Sequence, residues 1–252
     1  MTPDPSPART LPERAAALGT ALAAAIVVIA IAILPFLTPV WIGFEQSRTN
    51  AGGLTGYDEA SLRTATSAIL HDLVLGPPDF AVEIAGLPVL EERERAHMRD
   101  VRGVFAGFGL LALVAAVGLF ALAAGARRMG HPERAWRAVT SGMRWLIVGI
   151  VVAGVIAAVA FDAVFELFHR LFFPGGSYTF DPRTDRLVQL FPFDFWSETT
   201  TVLGAVIVVI AAIVSVVAAR RARRAIARST SVVAADSAEA ASAAAAGVEA
   251  AR

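Results

Sequence analysis

Four long apolar stretches constrain the fold of this chain more than any other feature of its sequence. They occupy residues 18–43, 103–126, 145–168 and 199–219, and charged side chains occur only near the end of the third. At a rise of about 1.5 Å per residue, a helix of each length can cross roughly 30 Å of hydrocarbon. Because an isolated strand leaves its backbone hydrogen bonds unmade in lipid, we predict an all-α membrane protein with four transmembrane helices.

The overall composition supports lipid as the solvent and excludes several kinds of chemistry. Hydrophobic residues make up 56% of the chain and charged residues only 17%, with a net charge of zero, so nothing indicates a nucleic-acid partner. The absence of cysteine excludes disulfides and thiolate catalysis, and the absence of lysine excludes a Schiff base. No glycine-rich phosphate loop precedes a helix, so we predict no nucleotide. The function favoured by the site residues described below also requires no cofactor and no metal.

Arginine density predicts the orientation of the helices, because cytoplasmic loops of membrane proteins carry an excess of cationic residues. The connection 127–144 holds five Arg and one acid, and five further Arg lie at 220–228. The connections 45–102 and 162–198 instead hold ten and six acids, against six and three Arg. We therefore predict that both chain termini lie in the cytoplasm and that both acidic connections lie outside the cytoplasmic membrane.

These stretches divide the chain into three parts. We predict a cytoplasmic tail at 1–17, a four-span membrane domain at 18–228 and a C-terminal tail at 229–252. The last is rich in Ala and Ser and poor in large apolar residues, which favours disorder. Within the membrane domain, the external segments cover 44–102 and 169–198.

The sequence of each external segment predicts local structure. Apolar residues follow one helical face from Tyr57 to Leu75, which predicts an amphipathic helix on the outer membrane surface. Gly76-Pro77-Pro78 ends that helix, and a second helix begins near Leu90 and continues into the second span. In the later segment, residues 177–190 predict a loop or short hairpin.

Ionisable side chains near the outer ends of the second and third spans form two stripes. Asp162, Glu166 and His169 are spaced four and three residues apart, so they share one face of a helix among Phe and Leu. Glu94, His97 and Asp100 are spaced three apart just before the second span. Ionisable residues at membrane depth are costly and usually face a cavity or a partner.

The two histidines are predicted to meet at one height. The second and third spans are joined by a short connection, so they must be antiparallel neighbours. His97 lies 30 residues before Arg127 and His169 lies 26 residues after Met143. At about 1.5 Å per residue these separations are rises of about 45 and 39 Å. A carboxylate that orients one imidazole nitrogen leaves the other nitrogen available as a base near neutral pH.

Two segments around these histidines carry a resemblance to a known family. The first is Glu94-x-x-His97-Met98-x-Asp100-Val101, and the second is Phe168-His169-x-Leu171-Phe172-Phe173, followed by Phe191-Pro192 and Phe195-Trp196. In this order and at these span ends, they resemble bacterial four-span membrane proteins once catalogued as a domain of unknown function. Some members of that family are lipoprotein intramolecular transacylases. The resemblance covers roughly Ala21 to Ala219.

The resemblance implies an acyltransferase at the outer face of the cytoplasmic membrane. In that family, an acyl chain moves from the glyceryl group of a diacylglyceryl-cysteine lipoprotein to the α-amino group of the same cysteine. The implied partner is a diacylglyceryl lipoprotein or lipid, and no covalent protein intermediate is required. The resemblance implies a catalytic role for the two histidines and membership of the first motif for Glu94 and Asp100, whereas Asp162 and Glu166 are added on spacing alone. The candidate catalytic residues are therefore His97, His169, Asp100, Glu94, Glu166 and Asp162.

Two other functions are compatible with the same residues. A metal-dependent membrane hydrolase could use His71, His97 and His169 with nearby acids as ligands. A structural or chaperone-like membrane protein could use its external segments for binding alone. Donors for an oxyanion in the acyl-transfer reaction could be the second histidine, Arg99, Arg170, a tyrosine or a backbone N–H.

Overall fold

The computed structural model describes the backbone of residues 10–250 and the side chains of residues 10–231 and 237. Within these residues the chain is helical apart from loops and one two-stranded hairpin. The helices and strands are α1 (Leu11–Ile33), a 3₁₀ helix (Leu34–Leu37), α2 (Pro39–Arg48), α3 (Ala51–Thr55), α4 (Glu59–Val74), β1 (Glu83–Ile84), β2 (Leu87–Pro88), α5 (Glu92–Arg128), α6 (Pro132–Phe172), α7 (Arg186–Leu190) and α8 (Phe193–Ala250).

Four helical segments are long and apolar enough to cross a membrane. They are Leu11–Leu37, Glu92–Arg128, Pro132–Phe172 and Phe193–Ser231. Large apolar side chains such as Phe120 and Val159 are exposed on these helices, as expected where lipid replaces water. The prediction of an all-α, four-span membrane protein is confirmed, and the chain is integral to the membrane.

The first span begins and ends earlier in the chain than the sequence predicts. Instead of running to residue 43, the α-helix ends at Ile33 and passes through a 3₁₀ turn that contains Pro35. A new helix begins at Pro39, with the Thr38 hydroxyl accepting a hydrogen bond from the Trp41 N–H at 3.3 Å. Proline lacks the N–H that a continuous helix needs, so the two prolines break the stretch into two helices.

The C-terminal segment also differs from its prediction. Where the sequence predicts disorder from residue 229, α8 continues to Ala250, and residues 251–252 lie outside the described part. Alanine has the highest helix propensity, and no proline occurs between Phe193 and Ala250. High local propensity therefore extends this helix where few large apolar residues are available for packing.

The chain divides into two compact units. The first comprises residues 1–25, 115–145 and 211–252, and the second comprises residues 26–114 and 146–210. In the first unit, α1 packs very closely on α6 at Gly142, where a Cβ would lie 2.7 Å from the carbonyl oxygen of Ala21. Small residues at such crossings let two helix backbones approach closely in a membrane.

A methyl group at this crossing should therefore destabilise the protein. We expect Gly142→Ala to lower the free energy of unfolding by about 1–3 kcal/mol, because overpacking outweighs the gain in helix propensity. Thermal unfolding in detergent measures the change. The matched control is Gly125→Ala, where no described atom lies within 4 Å of the new Cβ. Equal melting temperatures for the two variants would contradict the close packing.

The second unit contains a small core formed by its loops and short helices. Buried residues of α4, α5, α7 and the segments that flank the β-hairpin pack together around Phe80 and Leu190, neither of which is exposed. The hairpin pairs Ile84 with Leu87 and turns through Ala85 and Gly86, both with positive φ. A cluster of this kind lets the connection between the first two spans fold as a compact element.

The predicted helices of the connection between the first two spans are confirmed, and of the loop or short hairpin predicted for the later connection the structure forms the loop. Helix α4 forms within 57–75. Asp58 caps its start, where its carboxylate accepts from the Ser61 N–H at 2.8 Å, and Ile69 of this helix lies in the core. The second predicted helix is the start of α5. Within 177–190, however, the structure has a loop followed by α7. Side-chain contacts to α5, described below, hold that loop without strand pairing.

Candidate active site

The two predicted histidines lie next to each other in the second unit. His97 is on the second turn of α5 and His169 is on the last turn of α6. Their ring centroids are 6.1 Å apart and their ring planes are inclined by 23°. The prediction that both imidazoles reach one height is confirmed. Two stacked imidazoles at this distance can act on the same small group of atoms.

Both imidazoles line an apolar cavity of about 400 Å³. Phe173 packs against both rings, with its ring centroid 4.8 Å from that of His97 and 5.6 Å from that of His169. The Phe180 ring is 5.5 Å from His97. The rest of the lining comes mainly from apolar residues of α2, α4, α5, α6 and α8, which include Ile42, Leu73, Val101, Val164 and Phe195. The cavity therefore suits an apolar chain whose polar end reaches the histidines.

His97 is oriented by a hydrogen-bonded chain that ends in a carboxylate. The Ser177 hydroxyl donates to Oδ2 of Asp100 at 3.0 Å. Because the hydroxyl proton of Ser177 is used in this bond, the Ser177 oxygen must accept from Nδ1–H of His97, at 3.4 Å. This assignment places the proton of a neutral His97 on Nδ1 and leaves the lone pair on Nε2. Asp100 thus acts on His97 through Ser177, in the manner of the acidic residue of a catalytic triad.

His169 is oriented by the backbone of its own helix. Its Nδ1–H donates to the carbonyl oxygen of Phe165 at 2.7 Å, so the lone pair of the neutral ring is again on Nε2. The Tyr178 ring lies 5.0 Å from the imidazole, and its hydroxyl donates to Glu166 at 3.2 Å. Arg170 donates to the same carboxylate oxygen at 2.8 Å. Glu166 therefore supports His169 through Tyr178.

A set of contacts to the first turn of α5 fixes the loop that carries Ser177 and Tyr178. Arg93 donates to the buried carboxylate of Asp185 at 2.5 Å and to the carbonyl oxygen of Thr179 at 3.0 Å. Its guanidinium also lies 5.1 Å from the centre of the Phe180 ring. These bonds join the loop to the helix that bears His97.

Glu94 serves the same attachment and does not contact either histidine ring. Its side chain is only 1% exposed, and its two oxygens accept from the backbone N–H groups of Glu91 at 2.7 Å and Leu187 at 2.6 Å. The first N–H belongs to the unpaired start of α5, where a carboxylate is favoured. Glu94 thus joins α5 to α7.

Asp162 is the other candidate that the structure leaves apart from the histidines. Its side chain is exposed, it is absent from the cavity lining, and it makes no hydrogen bond among the described residues. Helix α6 departs from helical geometry at Ala160, where φ is −143° and ψ is 48°. Asp162 lies two residues after this break, so the regular helical spacing that places Asp162 and His169 on one face holds only from the break onwards.

The ligand set for the alternative metal site does not converge. His71 is exposed on α4, where its Nδ1 lies 3.3 Å from a carboxylate oxygen of Asp72, and it does not line the cavity. Among residues 10–231, no three His, Asp or Glu side chains are grouped to hold a metal ion. Arg99 pairs with Glu92 at 2.7 Å and also lies outside the cavity lining.

One wall of the cavity is held by a polar cluster between α2 and α8. The Trp41 indole donates to Thr199 at 3.2 Å, and Arg48 donates to Glu198 at 2.9 Å. Glu45 is buried behind this pair. Its burial and the neighbouring Glu198 carboxylate raise the pKa of Glu45 to about 7, although Arg48 opposes the shift. The cluster fixes the helices that contribute Ile42 and Phe195 to the cavity.

The sequence did not indicate Ser177 or Phe180 as parts of the site, and it indicated Phe173 only as a member of the second family segment. Ser177 is 80 residues from His97 along the chain, so helical spacing could not connect the two. One local signal was present, because Gly175-Gly176 places a tight turn directly after the third span. Such a turn directs the chain back towards the helix ends, so the polar residue that follows it, Ser177, can reach them.

Comparisons with known proteins agree with this architecture. The model of the family described as lipoprotein intramolecular transacylase Lit matches residues 17–196. The fold is similar to that of the solved membrane-integral lipoprotein intramolecular transacylase Lit from Bacillus cereus, with a TM-score of 0.68 and 17% sequence identity. The match covers 86% of this chain and 97% of that one.

Two variants of the Bacillus cereus protein are similar to the same degree. Each carries a substitution of one histidine, to arginine in one structure and to alanine in the other, and each has a TM-score of 0.68 and 17% identity. They cover 86% of this chain, which in turn covers 93% and 95% of theirs. No curated protein sequence matches the chain.

Proposed function

Because the chain belongs to the lipoprotein intramolecular transacylase family, we propose that it moves an acyl chain within a diacylglyceryl lipoprotein. The chain passes from the glyceryl group to the α-amino group of the N-terminal cysteine. The observation that carries the proposal is the stacked pair of His97 and His169 on the wall of the apolar cavity. The cavity accepts the acyl chain and brings its ester carbonyl to the two imidazoles.

The reaction conserves atoms and needs no co-reactant. The substrate amine loses a proton and attacks the ester carbonyl, which forms the C–N bond of the new amide. The C–O bond to the glyceryl group then breaks, and the departing oxygen takes up the proton. Because donor and acceptor are parts of one molecule, holding them together in the cavity supplies much of the rate.

His97 is the group that carries the proton in this proposal. Its Nε2 lone pair is free to accept the proton of the amine, and the Ser177–Asp100 chain stabilises the imidazolium that results. The same Nε2–H then protonates the departing glyceryl oxygen. A single imidazole therefore acts first as base and then as acid.

His169 faces the same reacting atoms and completes the pair. When protonated, its Nε2–H can donate to the tetrahedral oxyanion while Nδ1–H remains bonded to Phe165. Tyr178, which is hydrogen-bonded to Glu166, packs against this imidazole. Arg99 and Arg170 are committed to carboxylates, so we assign oxyanion stabilisation to His169 and not to an arginine.

We place the site at the outer face of the cytoplasmic membrane, with both chain termini in the cytoplasm. The support is the excess of arginine at 127–144 and 220–228 and the excess of acids in the two segments that build the site. A diacylglyceryl lipoprotein anchored in that leaflet presents its cysteine at this depth. Cysteine substitution of a residue in each connection, followed by labelling of intact cells, tests the orientation.

The proposed reaction predicts a specific change in cellular lipoproteins. In a strain that lacks other N-acylating enzymes, lipoprotein N-termini should begin with a free amine and two ester-linked acyl chains. Expression of this chain should convert them to a product with one acyl chain in amide linkage and one in ester linkage. The total mass stays constant, so tandem mass spectrometry must locate the acyl group. Lipoproteins that keep a free amine would exclude the proposed reaction.

Ser177 should act as a positioning residue. We expect Ser177→Ala to lower kcat about tenfold with little change in KM, because it breaks the link between His97 and Asp100 without touching the cavity lining. Ser177→Thr keeps the hydroxyl and should restore most of the rate. If the threonine and alanine variants were equally slow, the hydroxyl would not be the reason for the loss.

A further inference from the structure

A second opening in the second unit lies between α2 and α4 and takes no part in the reaction described above. It is a cleft of about 670 Å³. From α2 it is lined by residues spaced three and four apart, including Gly43 and Ser47, and from α4 by residues with the same spacing, including Leu62 and Thr66. The two helices therefore each present one face to the cleft.

The polar part of the lining consists mainly of uncharged amides and hydroxyls, beside apolar residues such as Val40 and Phe44. Gln46, Ser47, Asn50 and Tyr57 provide polar groups, and the backbone is accessible at Gly43. Gln46 uses one N–H on the carbonyl oxygen of Leu190 at 3.0 Å and accepts from Thr66 at 2.9 Å. Gln46 is only 2% exposed, so the polar side chains open to a ligand are those of Ser47, Asn50 and Tyr57. Such groups match the N–H and C=O of an extended peptide.

Charge in the cleft argues against a phosphate-bearing lipid as the occupant. Its lining contains one cation and one anion, Arg63 and Glu59, and these two pair with each other at 3.0 Å. A phosphate group would need an uncompensated cation or a cluster of donors around a positive centre.

The cleft adjoins the apolar cavity. Thr66 lines both openings, and it is bonded to Gln46 at the boundary between them. A lipoprotein that places its acyl chain in the cavity must lead its polypeptide away from the histidines on a neighbouring surface. Continuity between the two openings offers such a surface.

Glycine at position 43 is not explained by packing. A Cβ there would meet no described atom within 4 Å, and glycine inside a helix costs about 0.5–1 kcal/mol relative to alanine. The position contrasts with Gly142, where a neighbouring backbone requires glycine. At Gly43 the missing side chain leaves space in the cleft itself.

We propose that the α2–α4 cleft binds the polypeptide that follows the acylated cysteine of the substrate. The proposal rests on the proposed function, because it requires the lipoprotein to be the substrate. It assigns to this surface the recognition of an extended main chain by hydrogen bonds to its amides. Sequence preference is then weak, as a transacylase that serves many lipoproteins requires.

The test uses the full-length protein in detergent and two synthetic substrates. One is S-diacylglyceryl-cysteine amide, which has no following residues. The other is a diacylglyceryl lipopeptide of about eight residues, which spans about 27 Å when extended. Mass spectrometry follows N-acylation of each. We expect the parent to show a KM for the longer substrate about tenfold lower, because the cleft adds binding that is equal in ground and transition states.

Filling the cleft should remove this advantage selectively. We expect Gly43→Leu, and independently Ser47→Leu, to raise the KM of the longer substrate about tenfold with kcat unchanged, and to leave the short substrate within about twofold. The matched control is Gly109→Leu, on an exposed face of α5 where a Cβ also meets no described atom. This control should leave both substrates unchanged.

The outcomes separate the two proposals. If neither substrate is N-acylated by the parent, the proposed function fails. If both are N-acylated with equal KM, or if Gly43→Leu slows both to the same extent, the peptide site is refuted while the transacylase reaction stands. If Gly43→Leu instead alters only the response to added phosphatidylglycerol, the cleft is a lipid site and the peptide proposal is again refuted.

Discussion

Replacing His97 or His169 by alanine should lower the rate of N-acylation by about 10²–10⁴, the contribution that general acid–base catalysis makes in well-characterised enzymes. Both imidazoles line the cavity and use Nδ1 in their hydrogen bonds among the described residues, so in the proposed reaction each substitution removes a group that touches the reacting atoms. Initial rates with the diacylglyceryl lipopeptide measure the effect. Because the proposal has the two rings act on one tetrahedral centre, it predicts a double variant only slightly slower than the slower single variant.

The matched control for these variants is His71→Ala. His71 is a histidine of the same unit, but it is exposed and lies outside the cavity lining. We expect its replacement to leave the rate within about twofold of the parent. If His71→Ala were as inactive as His97→Ala, the role of the stacked pair would have to be abandoned.

Replacing Glu94 by alanine should mainly reduce stability. The carboxylate is buried and accepts from two backbone N–H groups, which would both lose their partner. Charged hydrogen bonds of this kind contribute about 1.5–3 kcal/mol each, so we expect the free energy of unfolding to fall by about 3 kcal/mol. Thermal unfolding in detergent measures this loss directly.

Kinetics then distinguish a structural role for Glu94 from a catalytic one. At a temperature where Glu94→Ala is still folded, we expect its kcat to remain within about tenfold of the parent, far above that of the histidine variants. Glu59→Ala is the control, because Glu59 is an exposed acid whose loss should cost less than about 1 kcal/mol. If the Glu94→Ala protein were fully folded and as slow as His97→Ala, Glu94 would have a catalytic role and not only a structural one.

The features that follow from local periodicity were predicted well. The four apolar stretches predicted four spans because hydrocarbon thickness sets the length of a helix that must satisfy its own backbone. The meeting of His97 and His169 followed from the same arithmetic, since a short connection forces two helices to run antiparallel with equal rise per residue. Both predictions depend only on distances along a helix.

The features that depend on contacts between distant segments were not predicted. Ser177 connects His97 to Asp100 only because Arg93 binds the loop 177–185 to α5 and Glu94 binds α7 to α5. Equal spacing from a histidine on one helix did not show which carboxylate would assist it. Asp100 reaches the imidazole through a residue of another segment, whereas Glu94 is occupied by two backbone amides.

By itself, the sequence determined that this is a four-span membrane protein with two histidines at one depth, because helix rise and hydrocarbon thickness leave no other solution for its apolar stretches. Tertiary structure alone decided how those histidines are supported. The proton positions on both rings, the apolar cavity and the cleft beside it arise where the 177–187 loop, α2 and α4 fold over the helix ends. Those contacts join residues far apart in the chain, and no local pattern of spacing or charge encodes them.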